Sequence, residues 1–101
     1  MSLSTHVLDT ARGRPAAGIS IELRRADGGV IATATTDEDG RASFGELDAG
    51  HYELVFEVGD YFGEREFLDR IPVRFRMADA ASKYHVPLLV SPWSYSTYKG
   101  S

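Results

Sequence analysis

Three histidines, His6, His51 and His85, carry most of the proton-transfer capacity of this chain, because a reference pKa of about 6.5 lets imidazole exchange protons near neutral pH. No cysteine accompanies them, which removes thiol nucleophiles, thiolate metal ligands and disulfides together. The sequence also lacks a Gly-x-Ser-x-Gly elbow, a phosphate-cradling glycine loop and a His-Glu-x-x-His helix, so acyl-serine and zincin-type chemistry are not expected. Histidines near opposite ends of a chain make no metal site without a third ligand; no metal and no cofactor is expected. Direct activation of water by histidine is the simplest chemistry left.

The neighbours of each histidine sharpen this. In Leu3-Ser4-Thr5-His6-Val7-Leu8-Asp9, period-two alternation puts His6 opposite Val7 and on the face of Leu8; taken alone it reads as an edge-strand or surface histidine. His85 lies between Tyr84 and Val86, and if those two face the core its ring projects outward. Flanked there by Pro87 and Leu89, it would expose apolar surface in a lone chain, which points to an interface or a pocket. His51 directly follows Gly50 and reads as a turn histidine without chemical role.

Rigid strands must position these groups. Alternation recurs in Ile19-Ile21-Leu23, Tyr52-Leu54-Phe56-Val58, Ile71-Val73-Phe75-Met77 and Tyr84-Val86-Leu88-Val90, as half-buried strands require. Turn signals separate them at Gly13-Arg14-Pro15, Asp27-Gly28-Gly29, Asp37-Glu38-Asp39-Gly40 and Asp48-Ala49-Gly50. One short helix is expected from Asp60 to Phe67, capped by Asp60, with Tyr61, Phe62 and Phe67 packed on a sheet. Strands punctuated this often predict an all-β, antiparallel sandwich of about eight strands. With 101 residues, residues 1–101 are expected to form one domain, marginal as a monomer and helped by oligomerisation.

Composition narrows the partners. A hydrophobic fraction of 43% supports a globular core and suggests no membrane span, and a net charge of -4 argues against nucleic acid. Arg70, Arg74 and Arg76 share one strand face, where solvent or a partner subunit is the expected neighbour. The polar start of the chain carries no signal-peptide pattern, so a cytoplasmic location is expected. From Trp93 to Tyr98 an aromatic face alternates with a hydroxyl-rich one.

A family resemblance adds to this reading. Leu3-Ser4-Thr5-His6-Val7-Leu8-Asp9-Thr10 with Gly13-Arg14-Pro15-Ala16, and the block Tyr84-His85-Val86-Pro87-Leu88-Leu89-Val90-Ser91-Pro92-Trp93-Ser94-Tyr95-Ser96-Thr97-Tyr98-Lys99-Gly100-Ser101, resemble the 5-hydroxyisourate hydrolases, the transthyretin-related enzymes. Asp37-Glu38-Asp39-Gly40-Arg41 and the segment from Tyr52 to Phe62 are similar to that family's middle segments. The resemblance implies a transthyretin-like sandwich and a homotetramer, a dimer of dimers, with clefts along a channel between dimers. It implies hydrolysis of the cyclic amide of 5-hydroxyisourate in urate breakdown, catalysed by His6, Arg41, His85 and Ser101, with Arg41, Lys99 and Tyr98 on the substrate. Either histidine could take the proton from water. Lys99 stands where the family usually carries arginine, replacing a planar bidentate fork by a point charge. The rival expectation is a transthyretin-like small-ligand carrier, with Trp93, Tyr95 and Tyr98 lining an apolar pocket; two histidines, an arginine and a lysine suit an anionic heterocycle better.

Overall fold

The computed structural model describes residues 2–79 and 82–101. Its strands are β1 (Ser2–Asp9), β2 (Arg14–Pro15), β3 (Ser20–Arg25), β4 (Val30–Thr35), β5 (Arg41–Glu46), β6 (Gly50–Glu57), β7 (Arg70–Met77), β8 (Lys83–His85), β9 (Leu88–Val90) and β10 (Tyr95–Thr97), with one helix, α1 (Val58–Phe62). They form two sheets. One runs β10-β9-β1-β2, with β5 and β8 also paired to β1; the other runs β4-β3-β6-β7. Pairing is antiparallel except where β1 runs parallel to β8 and β9.

The core lies between the sheets, because alternation sends one face of each strand inward. On β1, Leu3, Thr5, Val7 and Asp9 are buried while Ser4, His6 and Leu8 face outward. Side chains such as Leu54, Phe56, Ile71 and Leu88 are almost wholly enclosed; each contributes roughly 1.5–3 kcal/mol relative to exposure. On β7, Arg70, Arg74 and Arg76 share the outer face as expected. Arg70 is tied there to Glu57 and Glu22 at 2.7 and 2.9 Å.

Three expectations change. The strand anticipated from Tyr84 to Val90 divides into β8 and β9, because Pro87 has no amide to donate to a ladder. The helix starts earlier than expected and is shorter: Asp60 lies inside its first turn and pairs with Arg65, and Gly63, in the left-handed conformation, closes it by donating to the Gly59 carbonyl at 2.9 Å. Tyr61 and Phe62 pack on the core as foreseen, whereas Phe67 is 68% exposed. Finally, β1 is central, flanked by β5 on one side and by β8 and β9 on the other, so His6 is not on an edge strand.

The end of β1 is anchored by a polar knot. Asp9, wholly buried, accepts the Tyr61 hydroxyl at 2.8 Å and the Arg12 amide and guanidinium at 2.9 and 3.1 Å. Burial pushes its pKa up, but these donors outweigh burial and hold it below the usual carboxylate range. No helix among the described residues is long and apolar enough to cross a membrane.

Candidate active site

Strand register brings distant residues together on the outer face of the first sheet. His6 on β1 stands opposite Arg41 on β5, and Ser4 stands beside His85 on β8. They border a cleft of about 500 Å³, also lined by Thr5, Thr35, Asp37, Ala42 and Ser43.

Arg41 is placed by the turn before it. Asp37 Oδ1 accepts the amides of Asp39 and Arg41 at 2.9 and 3.0 Å, while the Asp37 amide donates to the Arg41 carbonyl at 2.9 Å. Gly40 has φ 76°, and a Cβ there would sit 2.5 Å from the Val7 carbonyl oxygen, so only glycine fits. The Val7 amide donates to the Gly40 carbonyl at 2.8 Å, which staples the turn to β1 next to His6. The Arg41 amide is the main cause of an Asp37 pKa below the ordinary carboxylate value; partial desolvation opposes it, and the Asp39 amide and the charges of Arg41 and His6 reinforce it.

His85 is half-buried. Its Nδ1 is hydrogen-bonded to Ser4 Oγ at 2.9 Å. Desolvation lowers its pKa below 6.5, and the nearby His6 and Arg41 lower it further, against the accepting main-chain carbonyl of Ser4, which raises it. The imidazole is therefore neutral at pH 7 and able to accept a proton. The tail returns to the same place. The Gly100 amide donates to the His85 carbonyl at 2.8 Å, and a Cβ at Gly100 would lie 2.6 Å from His85 Cδ2.

Not every anticipated residue reaches this cleft within one chain. Ser101 is exposed immediately after Gly100. Lys99 Nζ sits 5.3 Å from the ring centroid of Tyr84, and Lys99 and Tyr98 line a separate cavity of about 190 Å³ with Phe75 and Val86. Tyr84 and His85 are consecutive on β8, so the two cavities lie on opposite sides of that strand. The Tyr84 hydroxyl accepts the Ala78 and Asp79 amides at 3.0 and 3.1 Å, with the Asp79 amide the first cause of its lowered pKa. His51 lies apart, beside Arg25, Asp27 and Arg74. Trp93 and Tyr95 are 54% and 44% exposed.

Ser4 and Asp37 are the contributors that sequence reasoning did not single out for the site. Alternation alone could have placed Ser4 on the face of His6; its partner required the fold. Among the described residues no three histidine, aspartate or glutamate side chains converge as metal ligands. The arrangement offers a neutral proton acceptor, a second imidazole and a guanidinium able to offset developing negative charge.

The profile of the HIUase/transthyretin family matches residues 3–100. A 5-hydroxyisourate hydrolase of Mesorhizobium japonicum is 52% identical, over 98% of this chain and 91% of its own length, and that of Mus musculus is 40% identical, over 98% and 94%. The structure of Klebsiella pneumoniae 5-hydroxyisourate hydrolase matches with a TM-score of 0.89 at 36% identity, covering 100% of both chains. Sea bream transthyretin in complex with thyroxine matches at 0.86 and 31% identity, over 97% of this chain and 93% of its own. With a profile spanning nearly every residue and relatives this similar over their whole lengths, the chain belongs to the HIUase/transthyretin family.

Proposed function

We propose that the chain is a 5-hydroxyisourate hydrolase acting in urate breakdown. The observation that carries this reading is the convergence of His6, Arg41 and His85 on one cleft by strand register, in a chain closely similar to proteins of that name. Water adds through its oxygen to the ring amide carbonyl, and an imidazole takes one of its protons. The amide C–N bond then breaks, the departing nitrogen receives that proton, and the new acid, giving its remaining proton to solvent, leaves as the ring-opened ureidoimidazoline carboxylate. Arg41 offsets charge on the attacked carbonyl and on the anionic substrate. Neither a metal nor a cofactor has a step in this scheme. Ser101, Lys99 and Tyr98 belong to the site once subunits assemble.

That assembly is a homotetramer, a dimer of dimers, with the clefts facing one another between dimers. The outermost strands β10 and β7 and the exposed Trp93, Tyr95 and Tyr98 support it, since unpaired edges and exposed aromatics favour association. Light scattering should give four times the 11.1 kDa chain mass. A cysteine-free composition suits the reducing cytoplasm, where we place the protein.

The test generates 5-hydroxyisourate in situ with uricase and follows its ultraviolet decay with and without the protein. Faster decay to the ring-opened carboxylate supports the reading. The similarity to sea bream transthyretin makes a carrier the second reading, favoured if the chain binds the substrate or an aromatic ligand without accelerating decay.

A further inference from the structure

Four observations converge on Ser4. It is the register partner of His85 across the parallel β1–β8 pair, so both side chains rise from the same sheet face at the same height. Its Oγ lies 2.9 Å from His85 Nδ1. The strand beyond His85 cannot drift away, because the Val86 amide donates to the Ser4 carbonyl at 2.9 Å and the buried Thr5 hydroxyl donates to the Val86 carbonyl at 2.6 Å. On its far side the ring abuts Gly100. The imidazole is thus held at Nδ1 by Ser4 and blocked by the tail.

We propose that Ser4 is a positioning residue for His85, holding the ring as the neutral Nδ1–H tautomer and leaving Nε2 as the lone pair that takes the proton from water. This deepens the hydrolase reading and rests on it. A serine hydroxyl can donate or accept, so alone it would serve either tautomer. A base that takes a proton from water at the remaining nitrogen, Nε2, must carry its own proton on Nδ1, so with Ser4 Oγ 2.9 Å from Nδ1 the hydroxyl is the acceptor. His6, two residues further along the same face of β1, and Arg41 beside it are the charged or titratable groups facing the ring from the neighbouring strands; Asp37 borders the same cleft from the turn before β5.

Two-bond nitrogen–proton correlation spectra of the isotope-labelled tetramer near neutral pH read the tautomer directly. The wild type should show His85 with a protonated Nδ1 and a bare Nε2. Ser4→Ala should move both nitrogens towards the averaged positions of a mixed tautomer, and Ser4→Thr should restore the wild-type pattern. With 5-hydroxyisourate as substrate, Ser4→Ala should lower kcat about tenfold with KM little changed, the scale of one lost hydrogen bond, and Ser4→Thr should recover most of it. A proton on Nε2 in the wild type overturns the proposal. So does an unchanged tautomer in Ser4→Ala, whatever its activity, or an unchanged kcat. If instead the wild type shows the stated tautomer but does not turn over 5-hydroxyisourate, the hydrolase reading fails while the hold of Ser4 on the ring stands.

Discussion

Gly100→Ala should damage catalysis far more than stability. The added Cβ would fall 2.6 Å from His85 Cδ2 and 3.2 and 3.3 Å from its Cγ and Cβ. Carbon atoms settle about 3.5–4.0 Å apart, so the ring or the tail must retreat by roughly 1 Å. The tail resists, because the Gly100 amide is bonded to the His85 carbonyl at 2.8 Å; the ring yields instead, straining its bond to Ser4. A misplacement of about 1 Å at a reacting group costs on the order of 100-fold in rate, or about 2.7 kcal/mol of barrier. Ultraviolet decay of uricase-generated 5-hydroxyisourate would give kcat, with a thermal melt and light scattering confirming the fold and assembly. A folded Gly100→Ala variant with wild-type kcat would refute the coupling between the tail and the histidine.

Arg41→Lys should lower kcat/KM about tenfold to a hundredfold despite keeping the charge, since it removes the bidentate donor pair; unchanged kinetics would return Arg41 to the role of a solvated turn residue. Asp37→Asn retains an oxygen for the Asp39 and Arg41 amides and should leave kcat/KM within about threefold, whereas Asp37→Ala should lower it about tenfold by releasing the turn that aims Arg41. Equal losses in the two variants would mean that the charge, not the turn, matters. Burial, His6 and Arg41 depress the His85 pKa, so with His85 as the proposed base the acid limb of kcat/KM should have its midpoint below the ordinary 6.5. Arg41→Gln removes one of these positive charges and should move the limb to higher pH; a shift to lower pH would contradict the assignment.

Local patterning made the strands legible: alternation along β3, β6 and β7 sends Ile21, Leu54 and Val73 inward, and it correctly turned His6 and His85 outward. Pairing partners were not legible, because nothing near His6 in sequence reveals that β1 lies between β5 and β8. For the same reason Ser4 was not singled out, although alternation puts it on the face of His6. The break at Pro87 could have been read from its missing amide. The helix was misplaced because Asp60 resembles an N-cap residue, while the chain turns helical one turn earlier, where Val58 is fully buried. Lys99 and Tyr98 show the limit of a linear motif. They belong to the same terminal block as His85 and directly follow β10, yet within one chain they sit on the other side of β8, so any contact with substrate has to come through assembly.

The most direct test compares the wild type with His85→Asn in the uricase-coupled decay at matched protein concentration. Loss of a general base should cut kcat on the order of 100-fold or more, with melting behaviour little changed because His85 is only half-buried. A folded His85→Asn variant that clears 5-hydroxyisourate at the wild-type rate would contradict the assignment of proton transfer to this cleft.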